Sequence, residues 1–330
     1  MSCSGRGTGN AGNGTSGAFG YDTLGRPSSA TWTGPGSTLI TSDTVTRDEA
    51  GRVTSGQDFT YDNAGRLTDA WVPSTKYDYD FVQSSSCTGP NAYKNTNRTS
   101  MTVTPNGVSP TTTNYCYDHA DRLASSTDTS IGTIAYDTHG NSTTIFGETH
   151  TYDAANRHLG TTKPATTVSY VRDALDRIVE RKVNGTTSAR YGYTQAIDTP
   201  TFITDNSNSV QEVILSLPGG AIVIQRASGA LWSYPNLHGD VAARASSVGS
   251  KLDSTSLYDP YGNVLSGGIP DNAAGAFDLG WVGSFWKPLE HDSSLTPIIE
   301  MGARQYAPVL GRFLEAVAEV SPARMVVVMW

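Results

Sequence analysis

The sequence predicts an all-β fold, an antiparallel sheet built from stacked β-hairpins. The composition favours strands and turns, with 34 Gly, 16 Pro and 16 Tyr, while the helix formers Leu, Lys and Glu are scarce. A six-residue signature recurs eight times along the chain. The runs that follow it alternate partly between apolar and polar residues, which is typical of a sheet with one covered face and one solvated face.

The recurring signature has the form Tyr-Asp-x-x-Gly-Arg. Its copies are YDTLGR from Tyr21, RDEAGR from Arg47, YDNAGR from Tyr61, YDHADR from Tyr117, YDTHGN from Tyr136, YDAANR from Tyr152, RDALDR from Arg172 and YDPYGN from Tyr258. The short spacings suit one strand, one turn and one return strand per copy. The long gaps after the third and seventh copies are expected to contain degenerate copies, such as Tyr77-Asp78-Tyr79-Asp80.

Each copy can be interpreted as a hairpin turn with four structural residues. In the third copy, the Tyr61 ring is expected to lie on a neighbouring strand, and Asp62 to accept hydrogen bonds from backbone amides of the turn. Gly65 permits the positive φ at which the chain reverses. Arg66 begins the return strand and is expected to pair with a carboxylate of the adjacent repeat.

The structural turn residues predicted on this basis are Tyr21, Asp22, Gly25, Arg26, Tyr61, Asp62, Gly65, Arg66, Tyr117, Asp118, Arg122, Tyr136, Asp137, Gly140, Tyr152, Asp153, Arg157, Tyr258, Asp259 and Gly262. Where Gly is replaced, the substitutes are Asp121, Asn156 and Asp176, residue types that tolerate left-handed backbone. Asn184-Gly185 is a strong hairpin signal, and residues 205–209 are interpreted as a hairpin tip rather than a calcium loop.

The charge pattern argues against several classes of partner. A net charge of −8 gives no positive field to hold nucleic acid or an anionic membrane. No apolar run approaches the roughly 18 to 20 residues needed to span a bilayer. Residues 1–18 are Gly- and Asn-rich and are expected to be a disordered leader without the apolar middle of a secretion signal, and residues 84–97 and 267–276 are expected to be loops.

No arrangement of residues indicates catalysis, a cofactor or a metal. The six histidines, His119, His139, His150, His158, His238 and His291, show no metal-ligand spacing, and no GxSxG nucleophile motif is present. The repeated aspartates precede Gly, Asn or Asp at a fixed spacing, so turn acceptors explain them better than glycosidase carboxylates. We therefore expect a protein that is not an enzyme.

The block at 237–314 carries a family resemblance. It contains His238-Gly239-Asp240, then Tyr258 to Asn263, then Arg304 and Tyr306, and finally Gly311-Arg312-Phe313. With the tandem copies, it resembles the YD-repeat, or Rhs, family, and this block is similar to the Rhs repeat-associated core. The resemblance implies a spiralling antiparallel sheet that forms a partial β-shell. It places a hairpin array over residues 19–236 and the core over residues 237–314. It implies a structural role for eight residues of the core: His238, Gly239, Asp240, Arg304, Tyr306, Gly311, Arg312 and Phe313.

The resemblance also implies a function and a partner. Family shells enclose the protein's own C-terminal toxin domain, and members are secreted or associated with the cell wall. Residues 315–330 depart from the family pattern, lack a self-cleavage motif and resemble the product of a frameshift. Two alternatives are a wall-associated adhesion or carbohydrate-binding module, since aromatic faces suit sugars, and an autoproteolytic core, which the missing motif disfavours.

The three cysteines leave two arrangements open. Cys87 and Cys116 bracket a polar stretch and can form a disulfide in an oxidising compartment, or all three thiols, including Cys3, can be separate. The stretch from Cys87 through Asn97-Arg98-Thr99 to Tyr115-Cys116-Tyr117 resembles secreted Gram-positive members of the family. The resemblance favours the disulfide.

Overall fold

The fold is all-β and antiparallel, as the sequence predicts. The computed structural model describes residues 7–10, 12–55, 58–83, 87, 94–268, 277–292 and 294–315. Within these ranges the chain forms two compact units, one from residues 1–45 and 151–314 and the other from residues 46–150 and 315. The predicted loop residues 84–86, 88–93 and 269–276, and the tail residues 316–330, lie outside the described residues.

The first unit begins with a four-stranded sheet in the order β1-β2-β3-β4. Its strands are β1 (Gly7–Asn10), β2 (Ser16–Tyr21), β3 (Pro27–Thr33) and β4 (Leu39–Thr44), with a 3-10 turn at Pro35–Ser37. The first signature turn connects β2 to β3. Trp32 and Ile40 are buried on one face of this sheet.

The second unit holds a two-stranded sheet, a six-stranded sheet and three further strands. Its strands are β5 (Thr46–Arg47), β6 (Val53–Ser55), β7 (Thr60–Tyr61), β8 (Leu67–Val72), β9 (Thr75–Asp80), β10 (Ser100–Pro105), β11 (Thr111–Tyr117), β12 (Leu123–Ser126), β13 (Ala135–Tyr136), β14 (Ser142–Ile145) and β15 (Glu148–Tyr152). The six-stranded sheet has the order β12-β11-β10-β9-β8-β7, so every strand pairs with its neighbour in sequence.

The first unit continues with nine strands that also pair in sequence order. They are β16 (His158–Lys163), β17 (Thr166–Arg172), β18 (Ile178–Val183), β19 (Thr186–Gly192), β20 (Phe202–Thr204), β21 (Val210–Ser216), β22 (Ile222–Arg226), β23 (Gly229–Pro235) and β24 (Val241–Ala245). Smaller sheets follow, formed by β25 (Leu257–Tyr258), β26 (Val264–Ser266), β27 (Asp278–Leu279), β28 (Pro288–Glu290), β29 (Ile298–Glu300), β30 (Gln305–Ala307) and β31 (Arg312–Phe313), with 3-10 turns at Pro218–Gly220 and Gly283–Phe285.

Strands β22 to β24 are covered on both faces, which differs from the expected sheet with one solvated face. On one face, Ile222 and Leu231 belong to a core with Phe277 and Leu279. On the other face, Val223 and its neighbours pack with Trp32 and Ile40 of the N-terminal sheet. Because both faces are buried, the apolar and polar residues of these strands do not alternate.

The structure also differs from the expected leader over residues 12–18. Asn13 and Thr15 are buried, and the Asn13 side-chain amide donates a 3.1 Å hydrogen bond to the Tyr234 hydroxyl, while the Thr15 hydroxyl lies 2.7 Å from the same oxygen. These residues are fixed because they satisfy a buried phenol of β23. Residues 1–6 and 11 lie outside the described residues. The predicted domain boundaries at 236 and 314 stay predictions.

Candidate functional site

The repeated turn is the unit from which this molecule is built. At the third copy, the Asp62 N–H donates to the Arg66 carbonyl and the Gly65 N–H donates to the Asp62 carbonyl, both at 2.9 Å. Gly65 has a φ of 80°, so the turn is a three-residue loop with a left-handed last residue and a bulge. Only a residue that tolerates this backbone closes the loop without strain.

Both oxygens of the Asp62 carboxylate accept hydrogen bonds from donors in its own turn. One oxygen, Oδ1, accepts the backbone N–H groups of Ala64 and Arg66, each at 2.9 Å, and Oδ2 accepts the Arg66 side-chain Nε at 2.7 Å. Burial raises the pKa of Asp62, but the hydrogen bonds from Arg66 outweigh it and hold the pKa below its usual value. The carboxylate is therefore ionised and committed to the turn.

All eight signature copies share this geometry. The two backbone hydrogen bonds recur at Asp22, Asp48, Asp62, Asp118, Asp137, Asp153, Asp173 and Asp259. The left-handed position is Gly in five copies, at Gly25, Gly51, Gly65, Gly140 and Gly262, and it is Asp121, Asn156 or Asp176 in the others, with φ values of 61°, 61° and 67°. Asn and Asp stand there because they tolerate this conformation better than other side chains.

The last residue of the signature pairs within its own turn. Arg26, Arg52, Arg66, Arg122, Arg157 and Arg177 each donate Nε to the Asp of the same copy. In the other two copies the Asn141 and Asn263 side-chain amides donate to the same carboxylate oxygen, at 2.9 and 2.7 Å. The prediction that Arg66 pairs with a carboxylate of the adjacent repeat is wrong, because the bulged loop places its Nε beside Asp62.

The guanidinium group instead contacts the aromatic ring of the next repeat. Arg52 lies over the Tyr61 ring, 4.8 Å from its centroid, and the Tyr61 hydroxyl donates a 3.0 Å hydrogen bond to the Val53 carbonyl. Burial raises the Tyr61 pKa to about 12, so the phenol stays a donor. Each joint between repeats thus combines a cation–π contact with a hydrogen bond to the residue after the arginine.

The same joint recurs in both units. Arg122 lies 4.7 Å from the Tyr136 ring, whose hydroxyl donates to the Leu123 carbonyl at 2.8 Å. In the other unit Arg177 lies 4.2 Å from the Tyr193 ring, whose hydroxyl donates to the carbonyl of the residue after Arg177 at 2.9 Å. These joints link successive hairpins through residues at fixed positions in the repeat.

Two other signature tyrosines also donate hydrogen bonds to backbone carbonyls. Tyr117 and Tyr258 donate to the carbonyls of Arg98 and Val241, at 3.0 and 2.9 Å. The Tyr152 ring lies 5.6 Å from the His158 ring, and Tyr21 is 40% exposed.

Sequence reasoning missed two aromatic residues of these joints. Tyr193 receives Arg177, and Phe81 receives Arg66 at 4.3 Å, but neither ring precedes an aspartate. The sequence pattern that could have identified these two rings is an aromatic residue directly after the second strand that follows a signature arginine.

Degenerate turns also fill the long gap before the last copy. The two backbone hydrogen bonds of the signature recur over residues 205–209, 236–240 and 246–250, with Asp205, Asn236 and Ser246 at the aspartate position. The hairpin tip predicted at 205–209 has this geometry. By contrast, Tyr77 to Asp80 lies within strand β9 and is not a turn, because its residues pair along their length with β8 and β10.

The core block brings most of its predicted residues into two clusters. His238 Nδ1 lies 2.7 Å from Asp240 Oδ1, which also accepts the Val282 N–H at 2.9 Å, and Gly239 has a φ of 98° in this turn. In the second cluster Tyr306 stacks on Trp281 and contacts Phe313.

The remaining core residues support the second cluster. Arg304 lies over the Phe313 ring, 3.7 Å from its centroid. Gly311 lies against the Tyr261 ring and has a φ of 64°, and Arg312 pairs with Ala307 across β30 and β31. All these contacts are packing contacts and hydrogen bonds.

Cys87 and Cys116 are joined by a disulfide, with their Cα atoms 5.4 Å apart. Nearby, the buried Arg98 guanidinium lies between two aromatic rings, 5.6 Å from Tyr79 and 4.8 Å from Tyr115. This pairing holds Cys87, which lies within the predicted loop 84–97, against strand β11.

A buried ionic cluster joins the repeat strands to the core strands of the first unit. Arg181, which is 1% exposed, donates Nε and Nη2 to the two oxygens of Glu290 at 2.7 and 2.8 Å. The Tyr170 hydroxyl donates to the same carboxylate at 2.8 Å. Arg172 donates to Glu300 at 3.0 Å. Arg181 also lies 3.5 Å from Asp292 and Arg172 lies 3.7 Å from Asp176, so each guanidinium faces two carboxylates.

The described ranges contain no group of three or more His, Cys, Asp or Glu side chains that could hold a metal ion. In the same part of the chain, no helix has the length and hydropathy required to cross a membrane. The repeated carboxylates accept hydrogen bonds from their own turns.

The repeated turns, the joints and the core block agree with a family profile. Residues 92–325 match the teneurin YD-shell family. The chain belongs to the teneurin YD-shell family. No curated protein sequence matches it.

Solved structures of Tc toxin components share the fold at low sequence identity. A Photorhabdus luminescens Tc holotoxin pore matches with a TM-score of 0.65 and 14% identity, over 94% of this chain and 17% of that chain. The TcdB2-TccC3 crystal structure matches with a TM-score of 0.62 and 15% identity, over 93% of this chain and 18% of that chain. This YD-shell chain therefore spans less than a fifth of the length of the solved chains that it matches.

Proposed function

We propose that this chain is a non-catalytic wall segment of a secreted YD-shell that encloses a C-terminal toxin domain. The observation that carries the proposal is the occupation of all eight signature aspartates by their own turns. Such carboxylates are unsuited to acid–base chemistry, because their oxygens already accept hydrogen bonds from N–H donors of the same turn. The joints between repeats favour a continuous wall, since Arg52, Arg66, Arg122 and Arg177 each contact an aromatic ring of the next hairpin.

The comparisons support the toxin as the cargo. The solved structures with this fold include a Tc holotoxin pore, and this chain corresponds to 17% of that chain. A complete enclosure therefore needs more chain than these 330 residues. The segment acts by exclusion, because a closed sheet admits neither a macromolecular substrate nor a protease.

The non-catalytic part of the proposal is tested by intact-mass spectrometry. Purified full-length chain, incubated for several days, is expected to remain a single species of 35.0 kDa. A parallel sample with protease inhibitors separates contaminating protease from self-cleavage. Two fragments that accumulate at equal rates in both samples would show an autoprotease and contradict the proposal.

The cargo is tested at the gene. The DNA around codon 315 is read in all three frames, and we expect one frame to continue from the core into a further domain. Expression of that continuous frame, followed by limited proteolysis, is expected to leave the further domain intact until the shell is unfolded. Digestion of that domain at the rate of the free domain would overturn the enclosure.

A second candidate function, carbohydrate binding, is favoured by one surface. Trp71 is 45% exposed on the polar face of β8, where Lys76 of the paired strand β9 contacts Asp69. An exposed indole beside hydrogen-bonding groups suits the flat face of a sugar ring. A glycan array or cell-wall pull-down is expected to show no specific binding if the chain is only a wall. Binding that the Trp71→Ala variant loses, and the Leu24→Ala surface control keeps, would establish this second function.

A further inference from the structure

The buried ionic cluster contains two carboxylates with unequal hydrogen bonding. Both carboxylate oxygens of Glu290 accept hydrogen bonds, from Arg181, the Tyr170 hydroxyl and the Asp292 N–H. Glu300 is 3% exposed, and its Oε2 accepts both Arg172 at 3.0 Å and the Gln305 side-chain amide at 2.8 Å. Its other oxygen, Oε1, is buried and has no hydrogen-bond partner among the described residues.

A bare carboxylate oxygen in this position is destabilising. A buried acceptor that loses its water and gains no donor costs roughly 1–3 kcal/mol, and more when it is charged. Native structures rarely leave such an atom without a donor, from protein or from ordered water. The unsatisfied Oε1 therefore indicates a donor that is not among the described residues.

A small cavity lies beside this oxygen, between strands β16 and β17 on one side and β28 and β29 on the other. Its lining includes Glu300, His158 and the two threonines Thr161 and Thr296. It has room for about one water molecule, and the Glu300 carboxylate and the His158 imidazole among its lining residues are polar partners of the kind that a buried water needs.

The distance across the cavity fits a single bridging oxygen. His158 Nδ1 lies 4.0 Å from Glu300 Oε1, which is too far for a direct hydrogen bond but suits two hydrogen bonds that meet at one water. The other ring nitrogen, His158 Nε2, lies 3.1 Å from the Thr161 hydroxyl.

We propose that this cavity binds one structural water molecule, which donates a hydrogen bond to Glu300 Oε1 and accepts one from His158 Nδ1–H. The assignment places the imidazole proton on Nδ1, with the Thr161 hydroxyl donating to Nε2. The Arg172 guanidinium already lies 3.0 Å from Glu300 Oε2, so the ligand that donates a hydrogen bond to Oε1 need not be a cation. The water completes the hydrogen bonding of the joint between the repeat strands and the core strands.

The first test is a crystal structure of the full chain at about 1.5 Å resolution. Electron density for one water is expected at about 2.6–3.2 Å from both Glu300 Oε1 and His158 Nδ1. An empty cavity, or a direct contact between the two side chains, would overturn the proposal.

The second test detects the same water in solution by NMR of ¹⁵N-labelled histidine. The His158 Nδ1 proton is expected to show a nuclear Overhauser effect to a long-lived water. Glu300→Gln keeps an acceptor and is expected to retain the signal, whereas Glu300→Leu is expected to lose it. Glu212→Gln, at an ion pair with Arg226 away from the cavity, is the matched control.

Two results of the NMR test would contradict the proposal. A wild-type His158 protonated only on Nε2, or a water signal unchanged in Glu300→Leu, would contradict the proposal. If the leucine variant does not fold, the crystal structure and the wild-type NMR signal still decide.

Discussion

At the scale of single residues, the position of each side chain in the turn follows from backbone geometry. The left-handed residue of the signature is Gly, Asn or Asp in every copy. The aspartate three residues earlier accepts hydrogen bonds from two backbone amides and one side-chain donor, which water would otherwise accept. Because the arginine donor can be replaced by asparagine, as at Asn141, the turn requires an N–H group rather than a positive charge.

Gly65 offers a direct test of the turn, because its φ is 80°. Gly65→Val is expected to destabilise the protein by about 1–3 kcal/mol in urea unfolding, since a β-branched residue is strained at positive φ. The matched variant Gly65→Asn places the residue that the sixth copy uses, at Asn156, and is expected to lose much less. Equal losses for the two variants would contradict the turn assignment.

His150 predicts an acid dependence of stability. Its side chain is buried, and burial lowers its pKa from 6.5 to about 4. The neutral ring is favoured in the fold, so this contribution is complete above pH 6.5 and is lost as the pH falls through about 4. The wild type is expected to lose on the order of 3 kcal/mol between these limits.

Urea unfolding of the wild type and of His150→Gln at several pH values measures this dependence. The glutamine variant is expected to start lower and to show a shallower acid dependence. A parallel decline of both proteins would show that other groups control the acid limit.

At the scale of strands and hairpins, the joints make each repeat depend on the next. Arg52, Arg122 and Arg177 each hold the aspartate of one hairpin and the aromatic ring of the following hairpin. The hydroxyl of that ring fixes the register through a backbone carbonyl. Neighbouring repeats therefore stabilise one another, as in other repeat proteins.

A double-mutant cycle on one joint measures this coupling. Tyr61→Phe removes the hydrogen bond to Val53 and is expected to cost about 0.5–1.5 kcal/mol, while the ring still contacts Arg52. Tyr61→Leu also removes the cation–π contact and is expected to cost more. Combined with Arg52→Gln, the leucine variant is expected to show a coupling energy of about 0.5–1 kcal/mol. Strict additivity would show that the ring and the guanidinium do not interact.

At the scale of the whole molecule, the N-terminal sheet is tied to strands more than 180 residues away in sequence. Trp32 is 3% exposed, packs against Tyr234 at 5.0 Å and donates its indole N–H to the Pro235 carbonyl at 3.2 Å. These contacts within the first unit bury the second face of β22 to β24.

Two tryptophans make a matched pair that tests this long-range packing. Trp32→Ala is expected to lose about 3–5 kcal/mol in urea unfolding, because it removes a buried aromatic side chain. Trp71→Ala, which alters a residue that is 45% exposed, is expected to change stability by less than about 0.5 kcal/mol. Similar losses for both would contradict the packing of the N-terminal sheet.

The sequence predicts the hairpins well because their determinants are local. Asp62 and Gly65 lie three residues apart, and their roles depend on backbone geometry alone. Tyr193 and Phe81 could not be found in the same way, because an aromatic residue without the following aspartate carries no local signal. The cover that Trp32 provides and the pairing of Arg181 with Glu290 depend on tertiary contacts, which no short pattern records.

The joints have a consequence for how such proteins change in length. The joints between Arg52 and Tyr61 and between Arg122 and Tyr136 use residues at the same two places of the motif, one on the outgoing hairpin and one on the incoming hairpin. When a whole repeat is duplicated or deleted, the two hairpins that become neighbours therefore still carry the arginine and the aromatic ring of a joint. They can make the same contacts as the original neighbours. Tandem gain and loss of units is thus compatible with an unbroken wall, without any compensating substitution.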